Sequence, residues 1–251
     1  MPSLKKKLQS PGICLTSHVC TIPSPAVTQA MAAAGADSVI IDMEHGAVDY
    51  GSAHAMIASL AGTDCAPLVR VTEIDTAQVK RVLDLGAEGI VFPLVRDAAD
   101  AEKSVASLHY PPKGTRGFGP FLAHSHYGTS LQSYRGEIEP ALVCCLLIET
   151  RDAVDNIEEI VAVPGIDLII PAQFDLSTEL GCPGQFDHPE FVAALDRIEA
   201  AVDAAGIPRG AVTLSRDQAQ AMIARGYRVI AGFDAIWMRQ KAAETQAWCG
   251  P

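Results

Sequence analysis

Aromatic residues are scarce in this 251-residue sequence, 6% of the chain, and basic residues are outnumbered 30 to 19 by acidic ones. The resulting formal charge of −11 argues against a nucleic-acid partner, because polyanion binding needs a concentrated basic face. The basic run Lys5-Lys6-Lys7 reads as a solvated tail. No apolar stretch approaches the roughly 20 consecutive residues of a membrane span, and the opening MPSLKKKLQSPG has charge but no apolar h-region, so neither a membrane segment nor a signal peptide is expected. The 7 cysteines contain no CxxC pair. An odd, scattered set reads as reduced core thiols in a cytoplasmic protein, with Cys144-Cys145 packed in a buried strand rather than holding a metal.

What the chain has in quantity is aliphatic residues, within a hydrophobic content of 49%. Surface scaling predicts about 10,700 Å² exposed when folded against about 38,000 Å² extended, so one sizeable core needs no disulfide or metal. Short apolar runs predict strands at Ile13–Ser17, Ser38–Met43, Pro67–Arg70, Gly89–Phe92, Leu142–Glu149, Asp167–Ile170, Gly210–Thr213 and Arg228–Ala231. Several do not alternate, the pattern of strands buried on both faces. Helical patterns lie between them at Pro25–Ala34, Ser52–Leu60, Thr76–Leu85, Ala98–Leu108, Ala153–Ala162, Pro189–Ala205, Arg216–Arg225 and Ala235–Gln246. Gly35, Gly86, Gly206 and Gly226 follow helix patterns where a left-handed terminator belongs. Strict alternation predicts an α/β fold, a single (β/α)8 TIM barrel over residues 1–251, in preference to a doubly wound open sheet. The interval from His109 to Pro140, rich in Gly, Pro, Ser, His and Tyr, is far longer than ordinary connections and reads as a binding segment or a surface excursion.

Barrels carry their chemistry at the C-terminal ends of the strands. Polar residues close several runs there: Asp42-Met43-Glu44-His45 after the second, Arg70 at the third, Glu149 at the fifth and Asp175 after the sixth. Glu149 and Asp175 come from neighbouring strands about 4.8 Å apart. They suit a hard divalent ion, the alternatives being a loop salt bridge for Glu149 and a helix N-cap for Asp175. Arg70 reads either as a fixed cation for an oxyanion or as an ion-pair partner of those carboxylates. His45 reads as a general base or as structural, and Asp84 as an ordinary helix carboxylate. Two chemistries are disfavoured by absence. None of the lysines, at 5, 6, 7, 80, 103, 113 and 241, closes a predicted strand as a Schiff-base enzyme requires. No GxxxxGK[ST] or strand-linked GxGxxG occurs to cradle a nucleotide phosphate.

Taken in order, Asp42-Met43-Glu44-His45, Pro67-Leu68-Val69-Arg70, Leu83-Asp84-Leu85-Gly86-Ala87, Tyr110-Pro111-Pro112 with Arg116-Gly117, Ile148-Glu149-Thr150-Arg151 and Asp175-Leu176-Ser177 resemble the HpcH/HpaI aldolase family over nearly the whole chain. The resemblance implies a metal-dependent class II aldolase that splits 4-hydroxy-2-oxo acids into pyruvate and an aldehyde. It further implies a homo-oligomer, a hexamer built as a trimer of dimers with exchanged C-terminal helices. By the same resemblance Glu149 and Asp175 hold the divalent metal, Mg²⁺ or Mn²⁺ first, with Co²⁺ or Zn²⁺ as further candidates. His45 is the base, Asp84 orients that histidine, Arg70 stabilises the enolate, and the backbone at Phe174 and Asp175 holds the oxo-acid carboxylate. The chain departs from the family pattern at Leu147, where relatives often have Gln, and at Ala172-Gln173-Phe174 before Asp175. Gln173 offers a replacement amide and Phe174 a new wall, which makes a substituted pyruvate such as hydroxypyruvate a candidate nucleophile. Phe118 and the His124–Tyr127 segment are expected contacts of the aldehyde. The competing readings are a citryl- or malyl-CoA-lyase-like enzyme, expected to need a further CoA-binding segment, and a non-catalytic metabolite-binding barrel.

Overall fold

The computed structural model describes residues 4–249; Met1–Ser3 and Gly250–Pro251, the ends of the expected 1–251 domain, lie outside the described residues. The strands are β1 (Leu15–Cys20), β2 (Ser38–Asp42), β3 (Ala66–Arg70), β4 (Gly89–Phe92), β5 (Val143–Ile148), β6 (Leu168–Pro171), β7 (Gly210–Val212) and β8 (Val229–Phe233). The helices are α1 (Leu4–Gln9), α2 (Pro25–Ala33), α3 (Tyr50–Ala58), α4 (Thr76–Asp84), α5 (Ala98–Leu108), α6 (Ala123–His126), α7 (Leu131–Glu137), α8 (Arg151–Asp155), α9 (Ile157–Val161), α10 (Gln173–Glu179), α11 (Pro189–Ala204), α12 (Arg216–Ala224) and α13 (Asp234–Ala247). All strand pairs are parallel, in the order β6-β5-β4-β3-β2-β1-β8-β7. The ring is brought near closure by a parallel bridge between Ile169 and Arg209, with the Ile169 amide donating to Pro208 O at 3.1 Å. This is the expected (β/α)8 barrel, and among the described residues no helix is long and apolar enough to cross a membrane.

Side chains alternate between two buried layers because successive Cβ atoms of a strand point to opposite faces. Ile40, Leu68, Val91, Cys145, Leu147 and Ile170 fill the barrel interior, while Ile41, Val69, Ile90, Cys144, Leu146 and Ile169 pack under the helices. That explains why the sequence runs are continuous rather than alternating. Gly89 is where strands crowd: a Cβ there would meet Val143 O at 2.5 Å and Leu68 Cδ2 at 2.8 Å. Helix starts follow local capping chemistry. Asp49 accepts from the Ser52 amide, Asp75 from Ala77 and Gln78, and Ser215 from Gln218. The Asp49 cap starts α3 two residues before its apolar pattern. Gly35, Gly86, Gly206 and Gly226 are left-handed as expected, at φ +89°, +110°, +70° and +92°.

Two expectations need correction. The lysine run is not a solvated tail. Leu4 and Leu8 of α1 are buried with the interior layer, so α1 stops the N-terminal mouth of the barrel. Lys5 pairs with Asp167 at 3.1 Å and Lys7 with Asp37 at 2.8 Å, both acids standing immediately before strands. A six-residue helix bearing three lysines hides its role because only two of its positions touch the core. Leu8→Ala is expected to cost about 2–5 kcal/mol by opening a cavity in that plug, measurable as a lower urea midpoint at unchanged m-value. The cysteines are all free, as expected, but Cys14 and Cys249 are exposed rather than in the core.

Candidate active site

At the C-terminal rim, β2 ends in Asp42 and β3 in Arg70, which pair across the strand register. The guanidinium donates through Nε to Asp42 Oδ1 at 2.9 Å and through Nη2 to Oδ2 at 2.6 Å, the bidentate geometry that fixes an arginine in one orientation. Its Nη1 lies 3.2 Å from Glu44 Oε2. Burial alone would lower the Arg70 pKa, but the Asp42 and Glu44 charges more than offset it and raise it. Arg70 is thus an ion-pair partner, though of Asp42 and Glu44 rather than of Glu149 or Asp175. Asp42 is fully buried, and its Oδ1 also accepts from the Glu44 and His45 amides at 3.0 and 3.2 Å. Asp42, a carboxylate closing a wholly apolar strand to which the sequence reading gave no role of its own, thus ties Arg70 and the His45 loop together.

Glu149 follows β5 and is buried. Its Oε1 accepts a short hydrogen bond from the Leu94 amide, and Leu94 holds a left-handed φ of +56°, a conformation that non-glycine residues adopt at a cost. Burial first, then the negative charges of Asp175 and Glu44, push the Glu149 carboxyl up to about 7, against the pull of the Leu94 hydrogen bond and Arg70. Glu44 moves up for the same leading reason, burial. Asp175 is not an N-cap: it lies in the first turn of α10, whose N-cap is Ala172 with no side-chain bond. One pocket is lined by Arg70, Leu147, Gln173, Phe174 and Asp175, over an apolar floor that includes Val19, Ile40, Val91 and Ile170. Phe174 stands half-exposed at its edge, its ring 5.3 Å from Phe186. Gln173 reaches Met222 Sδ at 3.8 Å.

The donor set suits a divalent ion. Glu149 and Asp175 present hard oxygens, and Glu149 is a buried carboxylate short of counter-charge, since Arg70 is already engaged by Asp42 and Glu44. Among the described residues no group of three or more His, Cys, Asp or Glu side chains converges as a complete cage. A two-carboxylate site with open positions is what Mg²⁺-like ions use, retaining water and substrate oxygens.

Two predicted residues, Asp84 and Phe118, fall elsewhere, and His45 stands on the same rim outside the pocket lining. His45 lies on the rim loop after β2 with its ring exposed, its Nε2 3.8 Å from Glu44 Oε2, and is not among the residues lining the pocket. Asp84 does not orient His45 within one chain. It ends α4, and nine helical residues at 1.5 Å each carry it about 13 Å down toward the N-terminal rim. There it accepts from Arg116 Nη2 at 2.7 Å; Arg116 is buried, its guanidinium over the Tyr110 ring at 4.7 Å and the Tyr134 ring at 5.6 Å. Burial raises the Asp84 pKa although Arg116 opposes it. Phe118 is exposed beside Tyr110, ring centroids 5.3 Å apart. The 109–140 excursion joins a helix end to the start of β5, so Phe118 and His124–Tyr127 sit at the rim opposite the pocket of their own chain.

Residues 21–240 match the HpcH/HpaI aldolase/citrate lyase family. The chain is 36% identical to the hydroxypyruvate/pyruvate aldolase of Chromohalobacter salexigens, over 86% of this chain and 85% of that protein. It is 34% identical to the 2-dehydro-3,6-dideoxy-6-sulfogluconate aldolase of Pseudomonas putida, over 88% of this chain and 87% of that one. Among solved structures, a HpcH/HpaI aldolase/citrate lyase family protein from Burkholderia cenocepacia superposes with a TM-score of 0.93 at 28% identity, covering 99% of both chains.

Proposed function

We propose, because this chain belongs to the HpcH/HpaI aldolase/citrate lyase family, that it reversibly splits 4-hydroxy-2-oxo acids into an aldehyde and pyruvate or hydroxypyruvate. It is an enzyme, a carbon–carbon lyase of the aldolase class. The observation that carries the reading is the pairing, on one rim, of a two-carboxylate site short of counter-charge (Glu149, Asp175) with an arginine held rigid by Asp42. The 36% relative bears the name hydroxypyruvate/pyruvate aldolase, which supports the substituted nucleophile already suggested by Leu147, Gln173 and Phe174. A citryl- or malyl-CoA-lyase-like reading fits less well with relatives named as aldolases, and a non-catalytic barrel leaves the rigid Arg70 beside two acids without a purpose.

Glu149 and Asp175 would hold the divalent ion, Mg²⁺ or Mn²⁺ first, and a bound ion would supply Lewis acidity toward the keto oxygen of the substrate. The chain's own residues do the rest. In cleavage, His45 accepts the proton of the C4 hydroxyl, the C3–C4 bond breaks with its electron pair moving to C3 and the keto oxygen, and the aldehyde leaves. The protonated His45 then returns the proton to C3. Arg70 places fixed positive charge beside the developing enolate oxygen, already oriented by Asp42, so little reorganisation accompanies the charge. The α10 amides near Phe174 and Asp175 take the substrate carboxylate. The apolar floor at Leu147 and Ile170 keeps water from C3.

Asp84 belongs in this reading as a residue donated to the His45 of a second copy. Its position at the opposite rim, beside exposed Phe121 and Leu122, supports a homo-oligomer in which that rim meets a neighbour's site. The exposed α13, whose one buried residue is Asp234, supports helix exchange and hence the hexameric arrangement. Mixing His45→Ala with Asp84→Ala protein should restore part of the activity each lacks alone; no restoration would make Asp84 a purely structural partner of Arg116. The protein is further read as one domain and as cytoplasmic, which its free cysteines support.

The reading is tested by exchange of C3 protons of pyruvate and hydroxypyruvate into deuterated water, followed by NMR. Exchange abolished by chelator and restored by Mg²⁺ or Mn²⁺ is the expected result. Exchange with neither acid, at any metal, would remove the enolate mechanism.

A further inference from the structure

The His45 loop lacks regular structure, and its imidazole has no close side-chain partner beyond Glu44 at 3.8 Å, so the ring's place depends on how the backbone is seated. On the N-terminal side the seat is Asp42, through the Glu44 and His45 amides. On the other side it is Thr21, in the loop leaving β1. The Ala47 amide donates to Thr21 O at 3.2 Å. Gly46 lies against the Asp42 carbonyl and Thr21, so closely that a Cβ would come within 3.1 Å of both Thr21 Cα and Thr21 O. Thr21 is in turn pinned from the far end of the chain. Asp234, the first residue of α13 and almost wholly buried, accepts at Oδ1 from the Thr21 amide at 3.1 Å and the Thr21 hydroxyl at 2.8 Å. Its Oδ2 accepts from the Ile22 amide at 3.0 Å, and Oδ1 also accepts from the Ala235 amide at 2.7 Å.

We infer that Asp234 is a positioning residue for His45, acting through Thr21 and the Gly46–Ala47 backbone; this rests on the reading of His45 as the base. A buried carboxylate with four donors is a rigid anchor, and it ties the β1 exit loop to the β8–α13 junction across more than 200 residues of sequence. Among the described residues, no other element hydrogen-bonds to the C-terminal side of the His45 loop. The role is thus to hold a proton acceptor at a fixed height over the substrate, while Arg70 is held by Asp42 and Glu149 by the Leu94 amide, contacts that involve neither Asp234 nor Thr21.

That separation supplies the test. Oxaloacetate loses CO₂ to give the same enolate of pyruvate, which requires the enolate-stabilising groups but no proton abstraction from C3. In Asp234→Asn, one oxygen acceptor becomes an amide donor facing other donors. Its kcat for pyruvate C3 exchange should fall about tenfold or more, with pyruvate KM and oxaloacetate decarboxylation changed by no more than about twofold. Thr21→Val, which removes only the hydroxyl, should give the same split at smaller amplitude and serves if Asp234→Asn fails to fold. Parallel loss of both reactions, or undiminished exchange in a folded variant, would overturn the positioning role. His45→Ala run alongside separates the two ideas: if it leaves exchange intact, the base assignment itself fails and the positioning role falls with it. If His45→Ala abolishes exchange while Asp234→Asn impairs both reactions equally, the positioning role alone is refuted.

Discussion

Replacing His45 by alanine should lower C3 proton exchange by about 10²–10⁴-fold, the range spanned by positioned general bases. The divalent ion should remain bound, because Glu149 and Asp175 are untouched, and oxaloacetate decarboxylation should survive because it forms the enolate without abstracting a C3 proton. The comparison is sharper than a loss of aldolase turnover. In this reading aldol cleavage and C3 exchange need metal, arginine and base together, whereas decarboxylation needs only the first two. Unchanged exchange in a folded His45→Ala protein would remove the imidazole from the reaction.

Glu149→Gln should abolish the stabilisation by divalent ions and with it nearly all aldolase activity, while leaving the metal-free protein folded. The reason is electrostatic. Burial pushes the Glu149 carboxyl up to about 7, from an ordinary glutamate value of about 4.3, so the native state binds this proton more tightly than the unfolded chain does. Between about pH 4.5 and 7 the metal-free protein therefore loses stability as pH rises, up to about 3 kcal/mol from this group. Above 7 the full penalty of a buried carboxylate is present, and a divalent ion relieves it. Three measurements follow by thermal denaturation. The Tm of the metal-free protein should fall from pH 5 to pH 8. The Tm rise on adding Mg²⁺ or Mn²⁺ should be larger at pH 8 than at pH 5.5, since protons compete for the same oxygens. Metal-free Glu149→Gln should be more stable than metal-free wild type at pH 8, because the amide is uncharged and its oxygen can still accept from Leu94. A Glu149→Gln protein that kept a full metal-induced Tm rise would place the ion elsewhere.

Legibility in the chain tracked how local each signal was. The strands were readable because burial on both faces leaves continuous aliphatic runs such as Val143–Ile148, and helix ends were readable where a glycine such as Gly86 terminates the pattern. The short α10 was not: its N-cap, Ala172, makes no side-chain bond and it follows β6 directly, so Gln173–Asp175 read as a strand exit. The α8–α9 break at Asn156 was concealed by an apolar period that carries through it. In α1, lysines outnumber the two core contacts, and charge masked a plug.

At the site the same division holds. Arg70, Glu149 and Asp175 were visible because a polar group ending a buried strand is costly unless used, and strand ends share one rim by the alternation of the barrel. By itself the sequence determined the barrel, the rim and the identity of most groups on it, since these follow from hydrophobic period and residue type. Only the tertiary structure decided which groups touch. It clamped Arg70 on Asp42, set the Leu94 amide on Glu149 and joined Asp234 to Thr21. It also carried Asp84, Phe118 and the whole 109–140 excursion to the opposite rim. Those outcomes depend on helix length, on which end of a strand a connection reaches, and on contacts between residues far apart in the chain, none of which has a local signature.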